Sequence, residues 1–323
     1  MPEVGIFRQS DRFTGSSPGT IQDGDGMDPK AKDAPVVIFC SVNRPAMLHE
    51  SILCVSRQSI PCRIVVSVPG ESDVARETRQ LASVTVVYSA KGLTRQRNAA
   101  MDSIQDDPEM IFFLDDDMEM EDSCVEKLLL TLRERPDASM ATCVNVAQGT
   151  YAAGTLDRET ARRLILERQQ VQQSEQSEMP FTSIHAAYGC MMALRGSLRN
   201  KVRFDERLPL YGFLEDFDFS LQCRKFGPIL QNPNALAVHI EVTQGRMGDK
   251  KRGYSEVVNP FYILSKKTGA RWSRVFLGSM RRTLRSAGLA VKGQGWQRLI
   301  GNLMGWANVA TLRPDPEKIL TMR

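Results

Sequence analysis

The run Ile111-Phe112-Phe113-Leu114-Asp115-Asp116-Asp117 constrains this chain more than any other segment. Four large apolar residues stopped by three acids describe a strand buried on both faces whose end reaches polar surroundings. Strands of that kind belong to parallel sheets covered by helices. The rest of the first half agrees. Val36–Val42 is a β-rich run ended by Asn43-Arg44-Pro45, Ile64–Val68 stops at Pro69-Gly70, and Val84–Tyr88 precedes Gly92. Met47, Ile52, Leu53 and Val55 recur at helical spacing, and a helix-like stretch runs from Gly92 through Met101. Strands alternating with helices make βαβ units, so the chain to about residue 145 reads as α/β. Further on, Asp157–Glu178 reads as an exposed helix or connection and Ala186–Leu194 as a strand. Phe217–Phe226 reads as a helix stopped by Gly227-Pro228, with Ile229-Leu230 and Ala235–Ile240 as closing strands.

Composition narrows the class. In 323 residues, 42% are hydrophobic and 25% charged, which excludes a wholly disordered or collagenous chain. Residues 1–34, rich in Gly, Ser, Asp and Pro, read as a disordered leader. Asp23, Asp25 and Asp28 resemble a calcium loop only loosely, without its closing Glu. The seven cysteines are scattered with no CxxC pair, which predicts reduced thiols rather than a disulfide framework or zinc site. No signal peptide is expected at the N-terminus. Leu299–Leu312, the longest uncharged stretch near the end, is shorter than the roughly 20 residues a bilayer-spanning helix needs.

Four groups of residues can carry chemistry. Three adjacent acids repel one another, and a divalent cation such as Mg²⁺ or Mn²⁺ relieves that repulsion while bridging to phosphates. A solvated acidic turn is the alternative. In Tyr211-Gly212-Phe213-Leu214-Glu215-Asp216-Phe217-Asp218-Phe219 acids alternate with aromatics, a setting that raises carboxylate proton affinity and suits a general base. A charged helix start accounts for the same pattern. Gly92-Leu93-Thr94-Arg95-Gln96-Arg97-Asn98 is a glycine-led helix entry with two arginines, suited to a diphosphate or to a plain surface. His239 closes the apolar run Ala235–Val238, as an edge residue or a nitrogen ligand. There is no GxxxxGK[ST] and no GxGxxG after the first strand, against P-loop and dinucleotide chemistry, and no HExxH.

In order, these segments resemble the GT-A fold glycosyltransferases of family 2 over roughly Ala34 to Tyr262. The likeness includes Ser41-Val42-Asn43-Arg44-Pro45 and Gln58. Gln96-Arg97-Asn98 is similar to the family's Ala-Arg-Asn, with Gln96 departing, and Leu114-Asp115-Asp116-Asp117 to its DxD motif. Ala187-Tyr188-Gly189-Cys190, Glu215-Asp216 followed by Asp218, and His239 complete it. The resemblance implies a mostly parallel central sheet flanked by helices, and an inverting hexosyltransferase that uses a nucleoside-diphosphate-sugar donor and Mn²⁺ or Mg²⁺. It places Ser41, Val42, Asn43 and Arg44 along the nucleotide, Glu71 or Asp73 near base or ribose, and Arg97 near the phosphates. Asp115 and Asp116 would face ribose or metal-bound water, Asp117 and His239 the cation. Asp216 would be the base, with Glu215 orienting its neighbours. Arg246, Lys250, Lys251 and Arg252 form a candidate lid over the diphosphate, or else a solvated basic loop.

This reading divides the chain into a leader (1–34), a GT-A domain (35–262) and a basic amphipathic helical tail (263–323). From Arg271 to Arg323 there are ten Lys/Arg against two acids. Trp272, Val275, Phe276, Met280 and Leu284 share one helical face, and Trp296, Leu299, Ile300, Leu303 and Met304 another. Basic amphipathic helices with tryptophan suit an anionic membrane surface; packing on the domain is the alternative. The expectation is a cytoplasmic enzyme, peripheral on the inner membrane face, acting on a lipid-linked or cell-envelope glycan in polysaccharide biosynthesis, with no nucleic-acid partner. Two alternatives stand beside it: a sugar nucleotidyltransferase, and a non-catalytic sugar-nucleotide-binding scaffold at the membrane.

Overall fold

Alternation within the apolar runs decides how the sheet is covered. In the computed structural model, which describes residues 34–147, 156–174, 180–240, 247–266 and 271–322, the first strand β1 (Val36–Cys40) sends Val37 and Phe39 into one core and Val36 and Ile38 into another. β2 (Arg63–Val68) and β4 (Met110–Leu114) do the same with Ile64, Val66, Phe112 and Leu114 against Val65, Ile111 and Phe113. Both faces are buried because helices lie on both. α1 (Pro45–Ser56), started by the preset backbone of Pro45, and α4 (Cys124–Glu134) cover the first face; α3 (Leu93–Ser103) covers the second with Ala100 and Met101.

β3 (Val84–Tyr88), β2, β1 and β4 are parallel neighbours in that order. The other half of the sheet is mixed. β8 (Met191–Arg195) is antiparallel to β4 and to β6 (Met140–Asn145), and β9 (Ile229–His239) is parallel to β6. Two short strands, β5 (Met118–Met120) and β7 (Thr182–Ile184), run antiparallel to opposite ends of β9. This is an α/β fold with helices on both faces of one central sheet. The strand expected over Ala186–Leu194 is confined to β8, because residues 185–190 turn toward the site. The two closing strands expected on either side of Pro233 are one strand. The proline, which has no amide to donate, sits where pairing with β6 shifts register between Thr142 and Val144.

α5 (Arg158–Ser174) is more than an exposed connection. Its Arg158 reaches inward to the carbonyl of Met118 at 2.9 Å and to buried Glu119 at 3.0 Å. α6 (Glu215–Cys223) and a short helix α2 (Arg76–Arg79) complete the body. All seven cysteines are free. The leader through residue 33, with Asp23, Asp25 and Asp28, and Arg246 lie outside the described residues.

The last helices pack as a unit on α7 (Asp249–Ser265), which runs across residue 262 without a break. α8 (Trp272–Val291) and α9 (Trp296–Val309) both lie against it. A Cβ on Gly301 would sit 2.0 Å from the Lys250 carbonyl, and one on Gly253 2.1 Å from that of Arg298. Only glycine permits backbones to approach so closely. Asn302 Nδ2 donates to the Gly253 carbonyl at 2.9 Å, and buried Glu256 receives Arg298 and Arg252. Among the described residues no helix is long and apolar enough to cross a membrane.

Candidate functional site

Parallel strands release their loops at one edge, and the register decides which loops meet. Val36 pairs with Ile111 and Phe39 with Leu114, so the segments after Cys40 and after Leu114 leave β1 and β4 side by side. Ser41 Oγ donates to Asp116 Oδ2 at 2.5 Å, and Arg44 Nη1 to Asp116 Oδ1 at 2.9 Å. Arg44 Nη1 is also 3.7 Å from Asp117 Oδ2. Burial pushes the Asp116 carboxyl up to about 6, while Ser41 and Arg44 pull the other way. Asp116 thus works inward, bracing the Ser41–Arg44 loop. Its backbone carbonyl accepts a bond from Ser51 Oγ of α1 at 2.6 Å.

The flanking acids point elsewhere. Asp117 Oδ1 lies 3.0 Å from His239 Nε2, and Asp115, Asp117 and His239 offer ligand atoms that all fall within 4.8 Å of one another. Two hard carboxylate oxygens with one imidazole nitrogen suit a small divalent cation. Pairing of β5 with β9 sets this arrangement: Met118 opposes His239, and the Ile240 amide donates to the Asp117 carbonyl at 2.9 Å.

A single guanidinium joins this cluster to the second one. Arg97, from the inner face of α3, is 2% exposed. Its Nη2 donates to the Gly189 carbonyl at 2.7 Å and stands 3.3 Å from Asp115 Oδ1; Nη1 forms an ion pair with Glu215 Oε1 at 2.8 Å. Phe204 and Phe113 face it at 5.1 and 5.9 Å from their ring centroids. Glu215 is buried, and desolvation pushes it up to about 8 although Arg97 opposes the shift. Asp216 is half-buried and held by two amides, Gly189 to Oδ2 at 2.9 Å and Phe217 to Oδ1 at 2.7 Å. Burial raises its proton affinity above the ordinary carboxylate range, and the amide bonds lower it. Gly189 is needed here, since a Cβ would meet Glu215 Oε1 at 2.9 Å and Asp216 Oδ2 at 3.3 Å. Just before α6, Leu210 and Leu214 take left-handed backbones at φ 60° and 68°. Strain of this sort collects where geometry is held for function, and Asn259 of α7 secures the segment through the Phe213 carbonyl at 2.8 Å.

A cleft of about 890 Å³ opens over these groups. Ser41, Val42, Asn43, Arg44, Asp115, Asp116, Asp117 and His239 line it, opposite Tyr211 and Phe213. Lys250, Lys251 and Arg252 close a further side from the start of α7. Glu71, Asp73 and Arg97 do not line it. Asp73 is committed to the amides of Asn43 (2.6 Å) and Gly70 (3.0 Å), and exposed Glu71 stands 3.6 Å from Arg79. Glu215 and Asp216 do not line the cleft either, although Tyr211 and Phe213, just before them in the chain, do. Asp218 turns away to Lys266 at 2.8 Å. Gln96 ties the carbonyls of Ser41 and Ser67 together at 3.1 and 2.8 Å, which accounts for its departure from the family's Ala. Lys91 and Gln297 also line the cleft and were not singled out from sequence. Gln297 is separated by about 45 positions from Arg252, the lining residue nearest to it in sequence, and nothing local marks it.

The profile of the family described as Glycosyl transferase family 2 matches residues 36–202. Among solved structures, residues 1–349 of S. aureus TarS resemble the chain at 14% identity and a TM-score of 0.47, covering 76% of this chain and 68% of that one. GalNAc-T7, crystallised with UDP, GalNAc and Mn²⁺, resembles it at 14% identity and a TM-score of 0.49, over 75% of this chain. The match spans only about half of GalNAc-T7, 53% of its length, and 41% of the longer TarS structure. No curated protein gives a significant match.

Proposed function

The chain belongs to glycosyl transferase family 2 and is a glycosyltransferase; from that premise we propose that it transfers a sugar from a nucleoside diphosphate to a hydroxyl with inversion at the anomeric carbon. The observation that carries this reading is Arg97, whose one guanidinium ties Asp115, which lines the cleft, to Glu215 of the second acidic cluster. Family membership sets the nucleotidyltransferase alternative aside.

In this mechanism Ser41 to Arg44 border the nucleotide, with Asp116 fixing Arg44. Asp73 acts on the base side through the Asn43 amide it holds, and Glu71, exposed beside Arg79, is the other acid for base or ribose. Asp117 and His239, with Asp115 beside them, would hold Mn²⁺ or Mg²⁺, which supplies charge neutralisation for a departing diphosphate. Lys250, Lys251 and Arg252 face the same diphosphate from α7. Asp216 takes the proton of the acceptor hydroxyl. The acceptor oxygen bonds to the anomeric carbon as the bond from that carbon to the diphosphate oxygen breaks, and the electron pair leaves with the diphosphate. Arg97 supports from behind, keeping Glu215 and the Gly189 turn in place.

We take the acceptor to be a lipid-linked or cell-envelope glycan and the enzyme to work peripherally at a membrane. A thermal-shift screen of nucleoside-diphosphate sugars with and without Mn²⁺ tests the donor side. A true donor at a hundred times its dissociation constant stabilises by about 2.7 kcal/mol. Asp117→Ala should remove the Mn²⁺-dependent part. Failure of every sugar nucleotide to stabilise the protein would count against the reading, and a product of retained anomeric configuration would overturn inversion.

A further inference from the structure

An amphipathic helix on a protein surface normally turns its large apolar residues inward. The last two helices do so only in part: Phe276 and Trp306 pack on each other and Met304 and Val309 pack against the cluster around Tyr254, but other large apolar residues face out. α8 buries Ser279, Ser286 and Ala290, with Ser279 against Glu256 of α7, while Leu277, Leu284 and Val291 stand on its opposite side. Leu284 is 63% exposed and Val291 87%. α9 buries Gly301, Asn302 and Gly305 in the seam with α7 and turns Trp296, Ile300 and Leu303 outward, Trp296 at 57% exposure. The outward residues recur every seven positions on α8, and at intervals of four and three on α9, so each set forms a stripe.

Charge runs beside the apolar stripe. Arg274, Arg281 and Arg285 lie next to Leu277 and Leu284 on the helix surface, all exposed. Among the described residues none of the three has an acidic partner. Apolar side chains flanked by arginines with no protein anion to meet match the boundary of an anionic bilayer, where acyl chains lie beneath phosphates.

We propose that this outer face of α8 and α9 docks on an anionic lipid bilayer and sets the rim of the cleft at the membrane surface. The inference rests on the membrane setting proposed above and assigns the surface responsible. The link to the site is short. Gln297 lines the cleft, and its neighbour Trp296 heads the outward stripe. Lys250, Lys251 and Arg252 line the cleft from α7, and α9 is seated on that same helix with no slack between backbones.

Sedimentation of the full chain with vesicles of phosphatidylcholine and phosphatidylglycerol tests the surface. Binding is expected to the mixed vesicles and not to phosphatidylcholine alone. Replacing Arg274, Arg281 and Arg285 by Ser should weaken partitioning about a hundredfold, at roughly 1 kcal/mol per basic residue. Leu277→Asp with Leu284→Asp and Leu303→Asp should abolish it, with the melting temperature and the Mn²⁺-dependent sugar-nucleotide shift unchanged. Quenching of tryptophan fluorescence by brominated lipid should fall sharply in Trp296→Phe and little in Trp272→Phe. Wild-type protein left in the supernatant, or variants that bind as well as wild type, overturns the docking face. So does a dimer in solution that the aspartate variant splits into monomers, since a second copy then covers the stripe. Unchanged quenching in Trp296→Phe overturns the placement of the rim. Vesicle binding without any sugar-nucleotide shift would leave the docking face standing and remove the transferase mechanism instead.

Discussion

The cleft and the C-terminal helices break the usual partition of side chains in opposite directions. At the sheet edge, charge goes in: Arg97, Asp116, Asp117 and Glu215 are all buried, each held by partners from distant parts of the chain. On α8 and α9, Leu277, Leu284, Trp296 and Leu303 go out while serine, glycine and asparagine go in. Both arrangements sacrifice stability, the first by desolvating ions and the second by leaving apolar area in water. What differs is where the compensation lies. The buried ions are paired within the fold, so their geometry is set before substrate arrives. The exposed stripe has no partner within the described chain and points to one outside it.

The largest expected effect sharpens the catalytic side. Asp216→Asn should lower turnover by about 10²–10⁴-fold while sugar-nucleotide binding by calorimetry stays close to wild type. Unaltered turnover would favour the non-catalytic scaffold. Arg97→Met takes a buried donor away from the Gly189 carbonyl, Asp115 and Glu215 and should cost about 1–3 kcal/mol in denaturant unfolding. A loss below about 1 kcal/mol would show that the two clusters do not depend on their shared cation. On the helical side, Gly301→Leu forces a side chain toward the Lys250 carbonyl and should cost about 1–3 kcal/mol, seen as a lower unfolding midpoint. A neutral result would mean that the α7–α9 seam is loose.

Smaller effects follow from proton binding. Folded Glu215 keeps its proton up to about pH 8, whereas the unfolded chain releases it near 4.5. Between those values the folded state binds more protons, so this group's stabilising contribution is whole at low pH and is lost as pH rises through the window. Unfolding midpoints measured from pH 5 to 8 should decline more steeply in wild type than in Glu215→Gln; equal slopes would clear Glu215 of the effect. The least change is expected from Leu303→Ser, within about 0.5 kcal/mol of wild type, because that side chain already faces out.

The parallel half of the fold was legible because its strands are short apolar runs with polar stops, and their ends place Ser41–Arg44 beside Asp115–Asp117. His239 could be suspected but not positioned, since its partner is set by a strand of three residues, β5. Arg97 was harder. α3 buries Thr94, Gln96, Arg97 and Asn98, so its inner face carries no apolar period near the N-terminus, and a guanidinium that reaches inward looks the same in sequence as one that reaches out. Asp73 reads as a free acid until the backbone shows that it caps Asn43 and Gly70. The tail carried its amphipathic signal openly. Its orientation depends on which side seats against α7, and glycine and serine give hydropathy arguments little weight.

The pairing of Met118 with His239 carries a further consequence. Successive side chains along a strand point to opposite sides of the sheet, so a slip of one position along β9 would swing the imidazole to the far surface rather than shift it slightly. Affinity for the cation is therefore not a quantity that gradual drift in a loop can tune. Insertions between Asp117 and Met118 should behave as an on–off lesion, whereas comparable insertions at exposed turns should be absorbed.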